Sequence, residues 1–279
     1  MGTSHINGVP INNIVGGDGI HSGVISMASG KFEVDDVAVV SAAEDLNASA
    51  KDSKVQIYTD FFGKAADSSD EPLVQEKQGS GTGNAVTLAT ASPGGVISIK
   101  SASDDGVFTA NASAIALGAL DWQADMGSLV MEARLQCDDV SEAYIFVGFT
   151  DVLPGTTLEQ PIFLTAADID SDATDACGVC YDIDGTTKQW FHGGVKAGTD
   201  TVPAYSGAAP TEAAYETIRV EVSAAGAVRG YVDGTAIGPA VSAAVTATTP
   251  LVPVIVVANR SANAVTVLVD YVWVQADRA

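Results

Sequence analysis

Four carboxylates stand within eight residues at Asp168, Asp170, Asp172 and Asp175. Acids in such a run suit a hard cation such as calcium, which takes roughly six to eight oxygen ligands. An EF-hand loop opening at Asp168 would need glycine at 173 and glutamate at 179, where the chain has Ala173 and Val179. The residues therefore leave two readings: an irregular calcium site completed by Asp182 and Asp184, or an acidic loop facing water. Cys177 and Cys180 have the spacing of half a zinc knuckle, but a tetrahedral site needs a second pair. Only Cys137, His5, His21 and His192 remain, and they are not clustered. Buried, unpaired thiols are the expectation. Trp190, Phe191 and His192 beside Gly193 and Gly194 could form an aromatic platform on which a sugar ring stacks, with Trp190 and His192 as the contacts. The competing reading makes Trp190 a core anchor, as Trp122 and Trp273 are expected to be. Nucleophilic catalysis finds no frame, since there is no Gly-x-Ser-x-Gly elbow and His192 is the sole histidine after residue 54. The glycine-rich GSGTGNA at 79–85 lacks the lysine and helix of a phosphate loop.

The elements that must carry these residues are strands. Ile218, Val220 and Val222 share one parity against Arg219 and Glu221, the period of a half-buried strand. A second alternating run follows from Val228 to Val232 and closes on Asp233-Gly234, a tight-turn pair. Leu129, Met131, Ala133 and Leu135 oppose Val130, Glu132 and Arg134 in the same way. Glu132 and Glu221 thus read as single acids on solvated faces. NAVTLATA and GGVISIKSAS predict a hairpin around residues 92–95, and SLVMEARLQCDD with EAYIFVGFTD predicts another around Asp138-Asp139. Val265 to Val274 is apolar on both parities, which predicts a central strand covered on two sides. Residues 151–176 and 191–215, rich in Gly, Pro, Thr and Asp, read as long loops. Many short strands without helical periodicity predict an all-β chain, an antiparallel β-sandwich or jelly roll.

Composition narrows the function classes. The 279 residues carry 13 Lys plus Arg against 35 Asp plus Glu, a net charge of −22. That field repels phosphate backbones, and no basic stripe interleaved with aromatics is present, so no nucleic-acid partner is expected. No stretch approaches the roughly 18 apolar residues of a transmembrane helix, and no membrane partner is expected. The N-terminus lacks a basic region followed by an apolar core, so no secretory signal is expected. Residues 1–54 differ in texture, with short apolar patches between Gly, Asn and Ser and one strand-like run from Phe32 to Val40. They read as an extended N-terminal arm that docks on a partner, or else as extra edge strands wrapped on the sandwich formed by residues 55–279.

The order TDFFG, GGVISIKS, MEARLQ, AYIFVGFTD, GVCYDIDGTTKQWFHGGVKAGT, IRVEVSAAGAVRGYVDGTAIG and VPVIVVANRSANAVTVLVDYVWVQADR resembles the concanavalin A-like (laminin G-like) jelly rolls of tailed-bacteriophage structural proteins. The resemblance spans about residues 55–277. It is carried most specifically by Gly148-Phe149-Thr150-Asp151, YDIDGTTKQW and VDYVWVQADR, none of them catalytic. It implies a virion structural protein of the capsid decoration or cement type. Such a protein would be made in the host cytoplasm and would sit on the outer capsid surface, bound to the major capsid protein through the arm. A homotrimer is the expected assembly. The alternative is a lectin-like head- or tail-fibre module that adheres to host polysaccharide. Laminarinase-type jelly rolls carry Glu-x-Asp-x-x-Glu on one strand, which sets two carboxyls about 5 Å apart in a cleft. The nearest match, Glu33-Val34-Asp35-Asp36-Val37-Ala38, lacks the final acid and precedes the sandwich. No enzymatic activity and no cofactor are expected, apart from the calcium option.

Overall fold

The structure, a computed structural model, describes residues 5–6, 9–10, 54–61, 74–89, 95–103, 107–153 and 158–278. The chain divides into two compact units, Met1–Lys54 and Val55–Ala279. In the first, β1 (His5–Ile6) pairs antiparallel with β2 (Val9–Pro10). The remainder of the proposed arm, including the Phe32–Val40 run, lies outside the described residues, as does the Glu33–Ala38 match.

The second unit is built from β3 (Lys54–Thr59), β4 (Val74–Gln78), β5 (Ala85–Leu88), β6 (Ile97–Lys100), β7 (Ser113–Leu117), β8 (Leu129–Cys137) and β9 (Ala143–Thr150). There follow β10 (Phe163–Thr165), β11 (Asp168–Asp170), β12 (Ala176–Asp182), β13 (Phe191–Lys196), β14 (Thr199–Asp200) and β15 (Ala204–Tyr205). The last strands are β16 (Tyr215–Val222), β17 (Val228–Val232), β18 (Thr235–Ala236), β19 (Val252–Asn259) and β20 (Thr266–Asp277). One antiparallel sheet runs β14-β13-β12-β9-β19-β7-β4, with β15 also on β13. The other runs β18-β17-β16-β8-β20-β6-β5, with β3 also on β20. The only helical turns among the described residues are Phe108–Asn111 and Ala124–Met126. No helix among the described residues is long and apolar enough to cross a membrane.

The sheets stack face to face because each strand sends alternate side chains inward. Ile145, Val147 and Phe149 of β9 and Ile255 and Val257 of β19 meet Met131, Leu135, Val220 and Val272 across the interior. The β5–β6 hairpin forms as the alternation predicts. So does the β16–β17 hairpin. Asp233 and Gly234 have φ of 48° and 75°, the two left-handed positions of a type I′ turn into β18.

Three expectations fail. β8 and β9 are not a hairpin: β8 pairs with β16 and β20, while β9 pairs with β12 and β19 in the other sheet. The Asp138-Asp139 turn therefore carries the chain across the sandwich rather than back along one sheet. β20 is central but not covered on both sides, because a register shift at Asp270 lets Val267, Val269, Val272 and Val274 all face inward. The stretch 191–215 is not one long loop, since it begins with the buried strand β13, and β10 and β11 form a hairpin inside 151–176.

The reason Gly193 sits in a strand is steric. Gly148, Gly178 and Gly193 are register partners across β9, β12 and β13. A Cβ on Gly178 would lie 2.5 Å from the Val147 carbonyl and 2.7 Å from the Phe146 ring, and one on Gly193 would collide with Ile169. This glycine row makes a trough on the outward face of the first sheet. Phe146 and the β10–β11 hairpin fill it. Tyr144, Phe146, Ile162, Leu164, Ile169, Phe191 and Val254 there form a second buried cluster.

Candidate binding face

The residues singled out for chemistry are not where a ligand could reach them. Trp190 is 1% exposed: its ring packs on Tyr181 at 5.7 Å, and Nε1 donates to Glu216 Oε2 at 3.0 Å. Glu216 Oε1 accepts from the Thr211 amide, and burial pushes the Glu216 carboxyl up from its ordinary value. His192 is fully buried between the sheets, 3.0 Å from the Pro239 carbonyl through Nε2. It fits because β17 carries Gly230 opposite, whose Cβ would sit 3.1 Å from that of His192. The aromatic platform expected at Trp190 and His192 is therefore not a surface: strand alternation turns both side chains inward.

The acidic run is likewise dispersed. Asp168 and Asp170 flank the buried Ile169 on β11, and Asp170 accepts from Thr165 Oγ1. Asp172 accepts the Gln160 amide at 3.1 Å. Asp175, 4% exposed, accepts the Thr246 amide at 2.6 Å and so pins the 243–250 segment. Asp182 does not face these groups but is locked in a buried two-point pair with Arg260, Nε to Oδ1 at 2.9 Å and NH2 to Oδ2 at 2.6 Å. Among the described residues no group of three His, Cys, Asp or Glu side chains is placed to hold a metal ion. Cys177 faces the inter-sheet core and Cys180 the second cluster, so three-residue spacing on a strand sends the two thiols to opposite sides. With Cys137 they are free and buried, and burial pushes their thiols up, Cys137 to about 12.

The side chains that do meet on an open surface lie on the outward face of the second sheet. Register sets Trp273 of β20 beside Glu132 of β8, Glu132 beside Arg219 of β16, and Arg219 beside Tyr231 of β17. In the next row Tyr271, Arg134 and Thr217 are neighbours. Tyr271 donates to Glu132 Oε1 at 2.8 Å, and Arg219 approaches Glu132 Oε2 at 3.4 Å. Arg219 Nε donates to Glu221 Oε1 at 2.8 Å, and Tyr231 donates to Glu221 Oε2 at 3.0 Å. Arg134 pairs with Asp270 at 2.6 Å and lies 4.2 Å over the Tyr215 ring, while Arg219 lies 5.6 Å from the Trp273 ring. Tyr58 of β3, 62% exposed, stacks on Tyr271 with centroids 6.1 Å apart. Partial burial, then the Glu132 carboxylate, pushes the Tyr271 phenol up to about 12, so it stays a donor.

Two sequence readings change here. Trp273 is not a core residue but partly exposed on this face, because the bulge at Asp270 rotates it outward. Glu132 and Glu221 are not single acids, since both hold Arg219. The signal was present in the parity of Tyr271, Trp273 and Gln275 against the valines, but the cross-strand partners were not.

The architecture is the concanavalin A-like jelly roll. No family model matches the chain, and no curated protein sequence matches it. Solved structures share the fold. The chain is similar to a lichenase, a prokaryotic β-1,3-1,4-glucanase from a mouse hindgut metagenome, at 11% identity and TM-score 0.50, covering 79% of this chain and 98% of that one. It is similar to the Emp47p carbohydrate recognition domain at 12% identity and TM-score 0.50, covering 82% and 96%. A protein of unknown function from Shewanella oneidensis MR-1 matches at 12% identity and TM-score 0.50, covering 81% and 90%. Identities this low establish the fold alone.

Proposed function

We propose that the chain is a non-enzymatic virion structural protein of the capsid-decoration type, holding the major capsid shell through residues 1–54 and displaying the sandwich on the outer capsid surface. The observation that carries this reading is the filled trough. The outward face of the first sheet is a second core covered by the β10–β11 hairpin together with Phe108, Leu158 and Ile162, with a water-sized hollow beside Val254 and Val256, so the described residues give that face a durable block rather than a reactive cleft. The resemblance of GFTD, YDIDGTTKQW and VDYVWVQADR to phage jelly rolls supports the virion assignment. A net charge of −22 suits a displayed exterior with no nucleic-acid or membrane partner. In this reading the copies form a homotrimer and hold no metal, so the unfolding midpoint should be the same with EDTA as with added calcium chloride, and a midpoint raised by calcium would refute the metal-free assignment. The deciding experiment removes residues 1–54 and mixes the remainder with undecorated phage heads. Loss of attachment by a folded remainder bears the proposal out, and heads that are still coated refute it.

A second reading, adhesion to host polysaccharide, is favoured by one observation. The open face of the second sheet carries aromatic rings interleaved with paired Arg and Glu side chains. The two roles are compatible in one displayed domain.

A further inference from the structure

We infer that the outward face of β20, β8, β16 and β17 is a binding site for an uncharged saccharide chain, centred on Trp273, Tyr271, Glu132 and Arg219. This rests on the adhesion reading and moves its site from Trp190 and His192 to the opposite sheet.

Charge is the first argument. The chain has five arginines, at 134, 219, 229, 260 and 278, against a net −22. Three of them lie on this one face: Arg134 is paired with Asp270, Arg219 with Glu132 and Glu221, and Arg229 stands opposite Glu221 in register and over the Tyr231 ring. The face is thus a charge-balanced island on an acidic protein. A polyanion approaching it is repelled by the whole molecule, and a polycation finds its acids already held by arginine. An apolar partner would strip water from these ion pairs without replacing it, which costs more than it returns.

Neutral hydroxyls fit what remains. Each hydroxyl both donates and accepts, so it can bridge a guanidinium and a carboxylate that are already aligned, as at Glu132, Arg219 and Glu221. The rings supply the apolar half of the contact. Tyr58 and Tyr271 stack along one edge, and Trp273 lies beside them on the same strand as Tyr271. The row Trp273, Glu132, Arg219, Tyr231 crosses four strands, about 14 Å at the usual strand spacing, which accommodates an extended chain rather than a single sugar. The hydrogen bonds among these side chains hold them in place before any ligand arrives, which lowers the ordering cost of binding.

The test runs the full-length protein in native gels cast in turn with dextran, mannan, galactan and laminarin, and in gels cast with heparin. At least one neutral polysaccharide retards the protein and heparin does not, and Trp273→Ala and Tyr58→Ala each weaken retardation tenfold or more with an unchanged unfolding midpoint. Fluorescence gives a readout without mutation: Trp122 and Trp190 are buried, so the same polysaccharide should shield Trp273 from acrylamide. Retardation that both variants retain overturns this site while leaving the adhesion reading standing. Absence of retardation in every gel overturns the adhesion reading and this inference with it. Self-association in sedimentation that Trp273→Ala abolishes, without retardation, overturns the saccharide in favour of a second copy of the chain.

Discussion

His192 shows how a residue suited to chemistry is retired by burial. Its Nε2 faces the Pro239 carbonyl, and its Nδ1 has no partner. A proton on Nδ1 would stand in the core without an acceptor, and burial pulls the imidazole down from 6.5 to about 4. Between those values the unfolded chain binds a proton that the folded chain refuses, so stability falls as pH falls through this window. Urea midpoints measured from pH 7 to pH 4 should therefore fall relative to those of His192→Gln, which keeps a donor for Pro239 and loses this one contribution, whatever the opposing effect of the acids that burial pushes up. Arg260 and Asp182 make the opposite case, a buried pair with both partners present. Asp182 also accepts the Leu164 amide at 3.0 Å, and Arg260 lies 4.7 Å from the Tyr144 ring. Asp182→Ala leaves the buried guanidinium with only the half-exposed Asp184, 3.5 Å from Nε, and denaturant titration should show a loss of about 3 kcal/mol.

At the scale of elements, the glycines decide what the strands can do. Gly178→Ala should cost about 1–3 kcal/mol by overpacking, because the new methyl meets the Val147 carbonyl and the Phe146 ring. Gly234→Ala meets no atom within 4 Å, yet φ there is +75°. Its cost, about 1 kcal/mol, comes from backbone strain alone and should appear in thermal unfolding without disturbing the cores. The faces of β8, β16 and β17 were legible from alternation, and so was the Asp233-Gly234 turn. The strand β13 was not, because FHGGVK has a single β-branched residue, Val195, and its paired glycines imitate a loop. They are there to admit Ile169 and the Ala244 backbone.

For the molecule as a whole, like charges set the terms. At −22 the folded state carries its own repulsion, so added sodium chloride should raise the unfolding midpoint, most steeply at low ionic strength, as calorimetry across a salt series would record. The acidic balance that argues against a nucleic-acid partner was fully readable from composition. That three of five arginines gather on one sheet face was not, since Arg134 and Arg219 are far apart in the chain and meet only through β8–β16 pairing.

The alternation of side chains is local, so the amino-acid order was enough to specify an all-β chain, the two faces of most strands and the tight turns between them. Pairing is not local. β8 finds β20, β9 finds β19, and neighbours in sequence part into different sheets. An apolar outward row looks the same in sequence whether it lines an open groove or lies beneath a hairpin. Only packing placed Ile169 over Gly193, buried Trp190 and His192, and left Trp273 and Arg219 facing water, because those outcomes depend on which distant segment arrives to cover each face.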